Sequence, residues 1–137
     1  MKRSGLVLAG GIIGIIRGAL GTFVGIANLA ILGTIEAVIP GAGAVLVFEF
    51  LLSIAILIVS IWAIVKANDA GAASAIKGWG IVFIAAGVVD LVWTVGLMGS
   101  APEVIGSAIG SLTALTLIGG LLVAGASGLA KRPREYA

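Results

Sequence analysis

Three charged residues lie inside otherwise apolar stretches of the chain: Arg17, Glu49 and Asp90. An ionised group in hydrocarbon costs several kcal/mol unless it is protonated, paired or wet. Each therefore marks either a working site or a structural device. Glu49 shares a helix face with Ser53, and Asp90 shares one with Thr94, both at i,i+4. Two chemistries fit: a proton or cation path along the carboxyl groups, or a polar clasp between helices or between copies. The position of Arg17 toward the opposite side does not dictate an ion pair with Asp90. The usual reactive partners are missing. The chain contains neither His nor Cys, which removes the imidazole base, the thiolate nucleophile and the common soft metal ligands. Hydrolase and phosphoryl-transfer signatures are missing as well. The sequence thus points away from an enzyme, and no cofactor or metal is expected.

The most specific spacing belongs to glycine. Gly11, Gly14, Gly18, Gly21 and Gly25 recur at intervals of three and four, which places five bare positions on one stripe of a helix. Gly106, Gly110 and Ala114 repeat the theme further on, with Ser107 and Ser111 beside them as hydrogen-bonding groups. In lipid no hydrophobic force pulls helices together, so close backbone approach through small residues is the main route to tight packing. The stripe serves either packing within one bundle or a seam between copies. It is not a phosphate loop, because no strand-to-helix glycine turn followed by Lys and Ser or Thr is present.

These residues must be held by long apolar elements. The chain has 137 residues, enough for a single domain. It is 61% hydrophobic with 22 further glycines, and only 10% charged; ordinary soluble domains carry roughly 25% charge. So small a globule has too little interior to hide that much apolar surface, which excludes a water-soluble monomer. Four apolar blocks cover residues 5–39, 44–65, 78–97 and 104–130. A spanning helix needs about 20 apolar residues, and lipid-exposed irregular chain is forbidden. The fold class is therefore all-α: a bundle of four membrane-type helices in one domain, 1–137. Block one is too long for one crossing, at ~52 Å for a ~30 Å core. The preferred reading is a short interfacial helix over 5–16 and a span over 18–39, with the chain bending at Arg17; the alternative is one protruding helix. The links are short, and Pro40-Gly41 marks a turn, so neighbouring helices are expected to run antiparallel.

The basic residues set an orientation. Lys2, Arg3, Lys66, Lys77, Lys131, Arg132 and Arg134 all fall at ends that four crossings bring to one side, and the other two links carry none. The positive-inside rule then predicts both termini in the cytoplasm. Trp62, Trp79 and Trp93 fall near the two boundaries, where such rings prefer to sit. Lys2-Arg3 before an apolar run imitates a signal peptide, but the run lacks a small-x-small stop and is read as retained. The basic termini Lys2, Arg3, Lys131, Arg132 and Arg134 either anchor this topology or touch a polyanion, nucleic acid or anionic lipid. Residues 5–11 resemble residues 80–86, and the same alignment pairs Gly21 with Gly96, a pattern a duplicated hairpin would leave. The chain has no Gln and only Asn28 and Asn68. Such depletion is a thermophile tendency, although membrane segments have little use for amides in any case.

Two resemblances rest on these features. Four apolar blocks, a Gly-rich first block, Lys after block two and Gly78-Trp79 opening block three resemble small uncharacterised four-span membrane proteins of archaea and Gram-positive bacteria. The glycine stripe, the cysteine-free composition and the wealth of Gly, Ala, Val and Ile resemble the coat (major capsid) proteins of spindle-shaped archaeal viruses. Those coat proteins have two apolar helices more often than four. The second resemblance implies a structural, self-assembling virion protein whose partners are lipid and other copies of itself. A small ion-coupled channel or transporter using Glu49 and Asp90, and an accessory subunit of a larger membrane complex, are the competing expectations.

Overall fold

In a computed structural model, which describes residues 2–99 and 102–132, the chain folds as helices alone among the described residues. The helices are α1 (Gly5–Ala30), the short α2 (Leu32–Val38), α3 (Ala42–Val65), α4 (Ala73–Met98) and α5 (Pro102–Ala130). A single 3-10 turn, Ala70–Ala72, leads into α4. The four long helices are all apolar and long enough to cross a membrane. Many of their large side chains face outward, with Phe23 77% and Val92 66% exposed. An apolar exterior of that kind is matched to lipid rather than to water, so the chain is a membrane-embedded protein.

Local chemistry sets the ends. Ser4 accepts from the Val7 N–H and opens α1. Gly41 begins α3 at φ 91°, and Gly99 closes α4 at φ 88°; at both positions a side chain would be strained. Pro102 occupies the first position of α5, where its missing N–H costs nothing. The expected bend at Arg17 is absent. α1 runs unbroken from Gly5 to Ala30, and the break comes at Ile31. Nothing at residue 17 breaks a helix, whereas beyond Ile31 the chain folds back so that Glu36 caps α3. The Glu36 carboxylate accepts from the Gly41 and Gly43 N–H groups, each at 2.8 Å. Those two bonds hold its pKa below the usual carboxylate value, Gly41 contributing most. The surplus length of block one thus forms a short helix at the far end of the span, not an interfacial helix before it.

The helices pair as two hairpins. α1 packs most extensively on α3 and α4 on α5; α1 also lies against α5, and a lighter α3–α4 contact closes the bundle. Phe48 and Trp93 meet across that last seam with ring centroids 5.7 Å apart. The core is built from Val7, Ile56, Phe83, Leu115, Ile118 and Leu122, all fully buried.

The glycine stripe faces α3 of the same chain. A Cβ on Gly18 would lie 2.7 Å from the Leu57 backbone nitrogen. Gly11 abuts Ile64, Gly14 abuts Ser60, Gly21 abuts Ser53 and Gly25 abuts Phe50. Gly106 and Gly110 behave otherwise: both are exposed, with nothing near the position of a Cβ. On α5 the close approaches are made instead by Gly119, which meets the backbone of Gly80 on α4, and by Gly125, which meets Val7 of α1. The paired positions of the sequence repeat are not equivalent, since Gly21 is packed and Gly96 is open.

A side chain at Gly18 collides with backbone, which cannot rotate away. Gly18→Leu is therefore expected to lower the unfolding free energy by ~3 kcal/mol or more, beyond ordinary overpacking. Gly110→Leu should leave stability within ~0.5 kcal/mol. Equilibrium unfolding in a single detergent compares the two.

Candidate functional site

All four long helices send a polar side chain to one level of the bundle. Glu49 lies about two turns inside α3, Asp90 a little over two turns from the end of α4, and Ser111 two and a half turns inside α5. These three helix ends lie on the same side, so the residues share a depth. Arg17 stands at the midpoint of α1 and reaches that level with its long side chain. Because α1 is continuous, Arg17 lies at the middle of a membrane-type helix rather than at its end.

The guanidinium needs space and partners, and the sequence supplies both. Gly21, one turn further along α1, leaves the slot that Arg17 Nη1 fills; a Cβ there would strike it and the Ser53 side chain. Nη1 donates to Ser53 Oγ at 3.3 Å, and Nη2 donates to Ser111 Oγ at 3.4 Å. Ser53, only 2% exposed, in turn donates to the Glu49 carbonyl at 2.9 Å. One hydroxyl therefore links α1 to α3 and another links α1 to α5.

Glu49 and Asp90 lie close enough for their charges to act on each other, and the Arg17 charge acts on Glu49. Two neighbouring carboxylates repel, and a proton on one of them removes that repulsion. With that proton in place, Arg17, Glu49 and Asp90 sum to zero charge, a state that hydrocarbon surroundings favour. Asp90 is 3% exposed, yet its Oδ1 has no hydrogen-bond partner. The same holds for Oγ1 of Thr94, one turn along α4, and for Oγ of Ser60, about three turns beyond Glu49 on α3.

A cleft of about 290 Å³ leads to this cluster between α1 and α3. Arg17, Asn28, Glu49, Phe50 and Ser53 are among its walls. Asn28 stands about three turns beyond Arg17, toward the end that carries Glu36 and Glu103, so the cleft runs from that end down to the charges. On the other side the fully buried Ile56, Phe83 and Ile118 close the bundle.

Arg17, Glu49 and Asp90, read separately in the sequence, thus form one group. The glycine stripe lies beside it, with Gly21 taking part directly, whereas Gly106 and Gly110 stand apart on the outer face of α5. Sequence reading placed Ser53 on the face of Glu49 and named Ser111 as a hydrogen-bonding group between helices, but joined neither to Arg17, because nothing in the spacing ties residues of different helices together. Comparison with protein-family models, curated proteins and solved structures finds no match.

Removing Arg17 leaves two carboxyl groups without a countercharge. Arg17→Met is expected to cost ~2–4 kcal/mol of stability. Adding Asp90→Asn to that variant should restore at least ~1 kcal/mol, as coupled sites do. A double-mutant cycle in lipid nanodiscs measures the coupling, and strictly additive losses would separate Arg17 from the acid pair.

Proposed function

We propose that this chain is a small proton-coupled channel or transporter, with Glu49 and Asp90 as the proton-carrying groups and Arg17 as their fixed countercharge. One observation carries the reading: Oδ1 of Asp90 and Oγ1 of Thr94 lie buried without partners in and beside the charged cluster, and Oγ of Ser60 does so beyond the Ile56 layer. A purely structural clasp gains from satisfying every polar atom, because each orphan in a dry interior costs ~1–3 kcal/mol. Orphans are tolerated where water, a proton or an ion passes through. The cleft supplies an approach from one end, and the apolar layer of Ile56, Phe83 and Ile118 supplies a barrier that a moving helix would open.

A second reading keeps the self-assembling structural protein, of which a virion coat is the concrete form. It is supported by Gly106 and Gly110, which lie bare on the outer face of α5 with small-xxx-small spacing. A second copy would seat there without displacing anything in the bundle.

Proteoliposomes with a trapped pH dye distinguish the two. Wild-type protein should collapse an imposed pH gradient, Asp90→Asn should lose most of that rate, and Gly110→Leu should keep it. A wild-type chain that passes no protons, yet forms oligomers that Gly110→Leu dissolves, would overturn transport in favour of assembly.

A further inference from the structure

The end of the bundle opposite the cleft carries a second hollow, unrelated to the charged cluster. It lies between the start of α1 and the end of α5, and has a volume of about 440 Å³. Its two halves differ in chemistry. One is polar: Arg132 lines it, and the guanidinium donates to the Lys2 carbonyl, which ties the α5 terminus to the chain ahead of α1. Gly5 and Leu6 also line it. Their N–H groups belong to the first turn of α1, where the helix offers no acceptor and Ser4 serves only Val7. The other half is an apolar trough along Leu6, Ala124, Gly128 and Leu129. Leu6 is 47% exposed, and nothing approaches the bare α-carbon of Gly128.

The wider field has one sign. The Ser4 N–H donates to the Ala67 carbonyl at 2.8 Å, which brings the start of α1 beside the end of α3. Lys2, Arg3, Lys66, Lys77, Lys131 and Arg132 therefore gather at this end, with Asp69 as the one acid among the described residues there. Asp69 is already engaged, accepting from the Gly71 N–H.

We infer that this hollow is a binding site for an anionic phospholipid, with the phosphate against Arg132 and the first turn of α1 and one acyl chain along the Leu6–Gly128 trough. Arg matches phosphate geometry with two parallel donors. The helix start adds free N–H groups and a favourable dipole. The surrounding Lys and Arg side chains raise the local concentration of anionic headgroups. The trough selects a lipid over a free anion, because a free phosphate leaves that apolar surface uncovered. Depth agrees as well, since the start of a spanning helix lies at headgroup level.

Native mass spectrometry of the whole chain, released from nanodiscs of phosphatidylglycerol and phosphatidylcholine in equal parts, tests the site. Wild-type protein should retain phosphatidylglycerol in preference to phosphatidylcholine. Arg132→Gln should weaken that retention about fivefold, the effect of one basic side chain at an anionic surface. Gly128→Leu, which meets no neighbour and so leaves the fold intact, should abolish it by filling the trough. Lys77→Gln, at the same end but outside the hollow, should change it less than twofold. Equal losses for Lys77→Gln and Arg132→Gln would reduce the binding to diffuse charge and overturn the site. Displacement of the lipid by millimolar inorganic phosphate would overturn the lipid as its ligand. Binding of a short oligonucleotide that Gly128→Leu abolishes would assign the hollow to nucleic acid instead.

Discussion

Close approach of two backbones, α1 on α3, underlies the rest of the structure. Bare α-carbons at Gly11, Gly14, Gly18, Gly21 and Gly25 let α3 settle against α1 from Phe50 to Ile64. In lipid, apolar side chains gain little by meeting one another rather than acyl tails. Contact area at short range and interhelical hydrogen bonds must supply the association. Glycine gives both, because it shortens the distance and so brings polar groups on facing helices into reach. Ser53 touches Arg17 only because Gly21 leaves the space between them open.

The charged cluster follows from that geometry. Arg17 alone at the midpoint of a spanning helix would be untenable, and so would Glu49 and Asp90 without it. Brought together, they need only one proton to reach neutrality, and Ser53 and Ser111 receive the guanidinium. What the packing does not do is satisfy the oxygens of Asp90, Thr94 and Ser60. A bundle optimised for rigidity alone would not keep two buried orphans at its charges and a third further along. The opposite end of the molecule gathers the basic residues, and the acids Glu36 and Glu103 occupy the other end.

Much of the fold was legible in the residues. Apolar length alone placed the four long helices, since only helices satisfy their own backbone in lipid; the boundaries at Val65 and Ala130 agree with the ends of the apolar blocks. The glycine stripe announced a tight contact, but spacing specifies which face is bare and not which helix will cover it. Covering by α3 of the same chain, and the open state of Gly106 and Gly110, required the arrangement in space. Arg17 was misplaced for a related reason. A lone charge in an apolar run reads as a boundary until its partners, 36 and 94 residues away, are known. The Gly80–Gly119 contact left no periodic trace, because a single crossing point needs only one small residue on each side.

The decisive measurement is an NMR one on the chain in lipid: the cross-relaxation between the Gly18 α-protons and the Leu57 amide proton, recorded with labelled protein alone and then diluted into unlabelled protein. The two groups belong to facing helices of one molecule, so the cross-peak should be strong and its intensity per labelled chain unchanged by dilution. A missing cross-peak would mean that α1 and α3 do not meet at the stripe. One that fades on dilution would move the contact to the seam between copies and dismantle the cluster with it.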